Sequence, residues 1–472
     1  MYHMNTPILD ALTRLMEGRH TNFHVPGHKN RNALIEWSKY IPYIDTTEIE
    51  GMDNLLDPRG IIKESQDLAA RVYGSKATYY SVNGSTGSNY IAMAAITKPG
   101  DKVLVQRDSH KSIYNGLVLN RLEPIYIYPN YSEEHHLLTG LDPELIEKSI
   151  QDNPDVKAVI ITNPNYYGVC SNLEEIVEVV HKYDKVLMVD EAHGSHLVFS
   201  DMLPLSAIEA GADIVIHSTH KTLASLTQTS MIHICSDRVD LNRLRECFNL
   251  FTTTSPSYIF LLSNELAAAY MDGEGRERLD RSVDKVEELV RRLKDIDRVL
   301  VLTKEDDSTI YDKDITKILF RLEGMTGSHL NRLLMEEYDI ILEMADYYYC
   351  LALTSLMNQD RDFDRLVLAL EDLAKRTPYQ EINQVSLNIL KPLIRMNITE
   401  SFYADKEIIN LKDSIGRVAA TSVMAYPPGV PLLVPGEEIS QELYEHIGFI
   451  RENGLEIVGL MGYNKDQIVV IK

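Results

Sequence analysis

Two apolar runs, VKAVIIT at 156–162 and KVLMVD at 185–190, constrain this chain more than any other feature. Successive residues of a strand face opposite sides, so a run that is apolar at every position belongs to a strand covered on both faces. The surrounding sequence supplies the cover. From about 64 to 235, β-rich runs at 77–81, 102–106, 125–128, 156–162, 185–189, 213–217 and 230–234 alternate with helical patterns at 88–96, 143–150 and 173–183. This alternation predicts an α/β fold: a mostly parallel sheet with helices on both faces.

Beyond it, 258–271 and 281–296 read as long helices, and the runs 299–302 and 314–322 open a second strand group. A charged helix at 363–375 then leads to Arg376–Thr377–Pro378, a plausible boundary. The last hundred or so residues carry YPPGVPLLVPGEE at 426–438, whose prolines exclude a central strand or helix. At the start, Thr6 can cap and Pro7 open an amphipathic helix with Ile8, Leu9, Leu12, Leu15 and Met16 on one stripe, ended by Gly18. The expected organisation is an N-terminal helix and arm (1–44), a large domain (45–298), a small α+β domain (299–378) and a C-terminal domain (379–472).

Composition narrows the function classes. The chain has 47 Lys+Arg against 70 Asp+Glu, a formal net charge of -23. That argues against binding duplex nucleic acid or an anionic membrane, where affinity comes from basic patches. Cys170, Cys235, Cys247 and Cys350 form no CxxC pair, which fits a reducing compartment rather than a disulfide scaffold or zinc site. The start lacks a signal-peptide pattern and no apolar run reaches ~18 residues, so a cytoplasmic location is expected.

Three segments carry chemistry. Ser218–Thr219–His220–Lys221–Thr222 follows the strand at 213–217, placing a lysine where open α/β sheets bind ligands. Taken alone, such a lysine is ordinarily a surface charge. The strand at 185–189 delivers Asp190 at its carboxyl end, either as a turn residue or as the partner of a protonated ring nitrogen. Between strand and helix, Gly84, Ser85 and Thr86 in SVNGSTGSN can offer amides and hydroxyls to a phosphate. That loop has neither the GxGxxG of a dinucleotide site nor the GK[ST] of a P-loop. Phosphate cup, strand-end acid and lysine together are the parts of a pyridoxal 5'-phosphate (PLP) site, with Lys221 forming the Schiff base.

With HVPGHK at 24–29 and the proline-rich YPPGVPLLVPGE, these segments resemble the bacterial ornithine/lysine/arginine decarboxylases. The resemblance runs from about residue 20 to the C-terminus. It implies the aspartate-aminotransferase-like fold (PLP fold type I) and decarboxylation of a basic amino acid to its amine and CO2, arginine favoured over lysine or ornithine. The chain begins almost directly at the core. It is thus similar to the short Gram-positive forms without an N-terminal response-regulator-like domain, and a homodimer or dimer of dimers is expected.

Residue roles follow from the resemblance. Lys221 would bind the cofactor, Asp190 would pair with its ring nitrogen, Ala192 would lie beneath the ring and His110 would stack on it. Gly84, Ser85, Thr86, Ser218 and His220 would surround the phosphate, and His193 would lie near the phenolic oxygen. Thr254 and Ser255, in the run 252–256, would reach a neighbouring subunit's phosphate, making the active site shared. His220 and Lys221 are the candidates for the proton donor at Cα. Glu437, with Glu438 beside it, would face the substrate's distal cation, although acids after such a loop are usually solvated charges.

Bland readings win elsewhere. Pro26 and Gly27 between His24 and His28 keep those histidines off one helical face, and His193 and His196 beside a cofactor aspartate are poor metal candidates; no metal is expected. Tyr347, Tyr348 and Tyr349 read as packing. Another fold type I chemistry (lyase, aldolase or aminotransferase) would use the same lysine and aspartate. A non-catalytic homologue has no physical reason to keep Lys221, Asp190, His110 and the proline-rich loop together.

Overall fold

The computed structural model describes residues 20–29, 31, 41–383, 390–426, 430–452 and 456–472. The helix expected at the N-terminus and the Pro427–Pro428–Gly429 bend lie outside these.

Seven strands build the main sheet: β1 (Ala77–Ser81), β2 (Lys102–Gln106), β3 (Glu123–Ile127), β4 (Ala158–Thr162), β5 (Val186–Asp190), β6 (Ile214–His217) and β7 (Ser230–Ile234). Their order is β1-β7-β6-β5-β4-β2-β3. Only β7 runs against the rest, antiparallel to both β6 and β1. Every residue of β6 and β7 is buried, so both faces are covered. The helix α1 (Ile61–Tyr73) precedes β1, and α2 (Gly84–Ile96), α3 (Lys111–Leu119), α4 (Pro143–Asp152) and α5 (Leu173–Lys182) lie between these strands in the chain. Asp142 accepts from the amide of Glu144 at 2.9 Å and Pro143 opens α4.

Three boundaries differ from expectation for physical reasons. Helix α2 begins at Gly84 rather than 88, so the expected phosphate loop is the helix's own first turn. After α6 (Tyr258–Asp272), α7 (Gly275–Lys294) starts well before 281, because its buried stripe already includes Leu279. The strand expected from 314 begins at 317. Asp314 accepts from the amide and hydroxyl of Thr316 (2.9 and 2.6 Å), a turn incompatible with strand pairing there.

The smaller sheet has β8 (Val299–Leu302), β9 (Lys317–Leu322), β10 (Met344–Ala345) and β11 (Cys350–Leu353) in the antiparallel order β8-β9-β11-β10. It is accompanied by α8 (Gly327–Tyr338) and α9 (Asp360–Arg376). Beside β10, Tyr347, Tyr348 and Tyr349 are at most 3% exposed, packing as expected. The C-terminal part pairs β12 (Lys406–Asn410) with a last strand, Gln467–Ile471, and sets Val423–Tyr426 between Pro431–Leu433 and Glu456–Val458. Pro431 thus stands on an edge strand, where its missing N–H costs little.

Each of the three sheet regions has its own apolar cluster. Phe23 belongs to the second, because Thr21–Phe23 pairs in parallel with Ile340–Leu342 beside the small sheet.

Candidate active site

The carboxyl ends of the parallel strands converge on Lys221. Strand β6 ends at His217, Ser218 follows fully buried, and a single helical turn (Thr219–Thr222) presents the lysine. On the neighbouring strand β5, Asp190 is 3% exposed; Asn89 Nδ2 donates to its Oδ2 at 3.0 Å and the amide of Ala192 to its Oδ1 at 3.2 Å. Burial pushes the Asp190 carboxyl up, against the pull of Lys221. Burial also pushes the Lys221 amine down, against Asp190 and Glu343. Each group is thus held off its ordinary value for want of a close opposite charge.

Lys221 Nζ lies 3.0 Å from His193 Nε2. Burial, helped by the Lys221 charge, drives the His193 imidazole well down, so it is neutral at pH 7. His220 turns the other way, with Nδ1 2.8 Å from the Thr229 carbonyl oxygen. A carbonyl only accepts, so Nδ1 carries the proton; burial holds this imidazole down to about 4, leaving Nε2 bare at neutral pH. His110 caps α3, its Nδ1 accepting from the amide of Ser112 at 3.2 Å.

The first turn of α2 and Ser218 form a small polar cradle. Gly84 has φ +64°, and the hydroxyls of Ser85 and Ser218 are 2.7 Å apart. No side chain caps the helix, and Thr86 is exposed in its first turn. Uncapped amides, two converging hydroxyls and the helix dipole suit a phosphate. The buried carboxylate of Asp190, which has no close cation partner among the described residues, suits a protonated ring nitrogen. These residues fit PLP.

Other expected residues fall elsewhere. Thr254 and Ser255 are on an exposed turn, where the Ser255 amide donates to Thr253 Oγ1 at 3.2 Å. His196 diverges from His193 and meets Asp314 Oδ2 and Thr316 Oγ1 at 3.2 and 3.1 Å. Glu437 is 1% exposed and accepts from Arg107 Nη2 at 3.0 Å and from the Val434 amide at 2.8 Å. Glu438 is paired with Arg395 at 2.5 Å.

The HVPGH segment, expected as a shaped turn at the cleft rim, lies against the lysine's turn: the Gly27 amide donates to the His220 carbonyl at 2.8 Å, and a Cβ on Gly27 would sit 2.4 Å from the Leu223 carbonyl oxygen. HVPGH is therefore a turn pressed against the lysine's helical turn, and glycine is required for the close approach. Tyr166 packs edge-on to His193 with centroids 4.8 Å apart, and its hydroxyl donates to Glu343 Oε1 at 3.1 Å. Lys317 is fully buried, donates to the carbonyls of Asn165 and Tyr166, and is held down to about 7 by burial. Asn89 lay inside the quoted glycine-rich segment; Tyr166, Lys317 and Glu343 carried no local signal.

The profile of the Orn/Lys/Arg decarboxylase major domain matches residues 6–320, and that of the family's C-terminal domain matches 394–461. The chain is 35% identical over 484 aligned residues to an arginine decarboxylase of Bacillus subtilis, covering 100% of this chain and 99% of that one. An inducible lysine decarboxylase of Escherichia coli is 25% identical, over 95% of this chain and 78% of its own. Among solved structures, lysine decarboxylase A of Pseudomonas aeruginosa superposes with TM-score 0.79 at 21% identity, covering 99% and 82%. An alanine–glyoxylate aminotransferase of Nostoc sp. gives 0.58 over 75% of this chain and 95% of its own, at 17% identity. At those identities the structural likeness speaks for the fold, PLP fold type I. The chain belongs to the Orn/Lys/Arg decarboxylase family, and is with it an amino-acid decarboxylase, a lyase. The family and fold together imply PLP dependence.

Proposed function

We propose that this chain converts L-arginine to agmatine and CO2, with lysine and ornithine as poorer substrates. The observation that carries the decarboxylase chemistry is Asp190 and Lys221 at adjacent strand ends, with the Ser85–Ser218 cradle beside them. The preference for arginine is supported by the whole-length likeness to the Bacillus subtilis enzyme. Lys221 would hold PLP covalently, Asp190 its ring nitrogen, and Gly84, Ser85, Thr86 and Ser218 its phosphate, with Ala192 and His110 on the ring's two faces. When bound, PLP supplies an electron sink for the pair left on Cα as CO2 departs.

The chain's own groups then have defined tasks. Asp190 keeps a proton on the ring nitrogen, which its burial and its bonds from Asn89 and Ala192 prepare it to do. Burial weakens the Lys221 ammonium, which makes the free amine needed for attack easier to form. His193 Nε2 is placed to take a proton from Lys221 Nζ or return it. Because the one proton of neutral His220 is bonded to the Thr229 carbonyl, Lys221 is the donor we assign to Cα. Each turnover consumes one proton. The exposed Thr254–Ser255 turn is free to enter a second subunit's site, the arrangement a homodimer would need, and the low-salt attraction of a -23 chain for a cation would help delivery.

The test is incubation with arginine, lysine and ornithine separately, with detection of amine and CO2. Release of CO2 from arginine fastest is expected; none from any of the three refutes the proposal. Purified protein should also absorb in the visible through its lysine-bound cofactor, and Lys221→Ala should remove that band.

A further inference from the structure

Two buried side chains flank the site without opening onto it. Glu191 follows Asp190 at the end of β5, and His217 closes β6 just before Ser218. His217 Nε2 lies 2.7 Å from Glu191 Oε2, and both side chains are 0% exposed. The two strands are parallel neighbours with Ile216 opposite Asp190. The contact therefore joins the ends of the strands that deliver Asp190 and Lys221.

Glu191 is a fixed post. Its Oε2 also accepts from the Ser206 hydroxyl at 2.9 Å, and its Oε1 from the Ala207 amide at 2.8 Å. Ser206 is itself held, its oxygen accepting from the Ile208 amide at 3.2 Å. A carboxylate only accepts, so His217 donates through Nε2. The backbone leaves room for this arrangement: a Cβ on Gly194 would sit 2.6 Å from Glu191 Cγ.

His217 depends on that post. Among the described residues its Nδ1 has no hydrogen-bond partner, and its ring also meets the rings of His233 and Tyr73, at centroid distances of 4.6 and 5.5 Å. Packing confines a ring but offers its N–H no acceptor; Glu191 does.

At both strand ends, consecutive residues divide the work. Asp190 meets Asn89 while Glu191 meets His217; Ser218 meets Ser85 of the phosphate cradle while His217 meets Glu191. A shift at the tie thus passes through one peptide unit to Asp190 on one strand, and to the cradle and the lysine's turn on the other. Burial pushes the Asp190 carboxyl up, and His217 joins Lys221, Asn89 and the Ala192 amide in pulling against it. A second tie, Ser195 Oγ to Thr222 Oγ1 at 2.7 Å, links the turns that follow the two strands. Cutting the first tie should therefore loosen the site and leave the fold standing.

We propose that Glu191 and His217 are positioning residues: their buried tie sets the spacing of Asp190 from Lys221, and with it how well the cofactor's ring and the lysine are held at once. This rests on the PLP reading above.

The test compares His217→Gln, whose amide can still donate to Glu191, with His217→Leu, which cannot. Apoprotein of each is titrated with PLP and followed by the visible band, and kcat and KM for arginine are measured on the loaded protein. His217→Leu should weaken PLP binding, displace the band and lower kcat by up to about 100-fold, with KM within about twofold of wild type. His217→Gln should bring all of these back to within about threefold of wild type, with the band in its original place. Melting curves establish that each variant is folded. A folded His217→Leu with wild-type band and PLP affinity, or a His217→Gln as impaired as His217→Leu, would overturn the inference. A wild type that never takes up PLP overturns both the inference and the reading under it. One that takes up PLP yet releases no CO2 from arginine overturns only the choice of reaction, and the PLP titration still judges the tie.

Discussion

Removing Glu437 should damage stability rather than catalysis. Its partner Arg107 has a side chain 0% exposed, and Glu437's is 1% exposed. Breaking such a pair by deleting one member costs about 3–5 kcal/mol, because the other charge stays buried. Arg107 would keep its bonds to the carbonyls of Pro431 and Leu432 (2.7 and 3.4 Å) and to the Tyr114 hydroxyl (3.2 Å). Its guanidinium also lies 5.7 and 5.5 Å from the ring centroids of Tyr114 and Tyr126. These place the charge term at the lower end, ~3 kcal/mol, with about 1 kcal/mol more for the Val434 amide left without its acceptor. Glu437→Ala should therefore lower the urea-unfolding free energy by roughly 4 kcal/mol. The double variant Arg107→Met/Glu437→Leu, which leaves no unpaired charge, should lose less than Glu437→Ala alone. Glu437→Gln, assayed below its melting range, should keep kcat/KM for arginine within about threefold, well under the loss expected for removing a charged substrate contact. Unchanged stability combined with a hundredfold loss of kcat/KM would refute this and return Glu437 to the substrate.

Gly27→Ala should force the HVPGH turn off the Leu223 carbonyl, costing about 1–3 kcal/mol; kcat, read beside a melting curve, should fall while the fold persists. Asp190→Asn can still accept from Asn89 but cannot hold a ring-nitrogen proton, so kcat should drop on the order of 10²–10³-fold with the visible band displaced in the absorption spectrum. The pH dependence of stability should carry the mark of Lys317. Its amine is held near 7 in the fold and titrates near ~10.4 when unfolded. Between those values the unfolded chain binds more protons, so stability rises with pH, by up to about 1.4 kcal/mol per unit from this one group. Urea midpoints from pH 7 to 10 should rise less steeply in Lys317→Met than in the wild type; identical slopes would exclude a depressed amine.

The main sheet was legible because its strands are buried on both faces and so are apolar at successive positions; β1, β2 and β7 match the expected bounds. Lys221 and Asp190 were legible for a related reason, as polar residues directly after such runs. The segment proposed for the phosphate was read as a loop, since small residues in SVNGSTG mask a helix start that Gly84's left-handed conformation makes possible. Glu343 and Lys317 were invisible because they come from the region of the smaller sheet, through pairing no local pattern records. The surroundings of Glu437 were hidden for the same reason in reverse. Its charge is cancelled by an arginine lying far upstream, and nothing near 437 announces it.

The strand Thr21–Phe23 has consequences for how the protein matures on the ribosome. Its partner, Ile340–Leu342, is made long after the lysine and the whole main sheet have emerged. Until then the turn at Gly27 lacks its neighbouring anchor, and the wall it forms against the lysine's helical turn is incomplete. A nascent chain halted before residue 340 can hold a finished sheet with an unfinished catalytic centre. Cofactor capture should therefore trail sheet formation during synthesis, and it should be the step most sensitive to anything that delays the small domain.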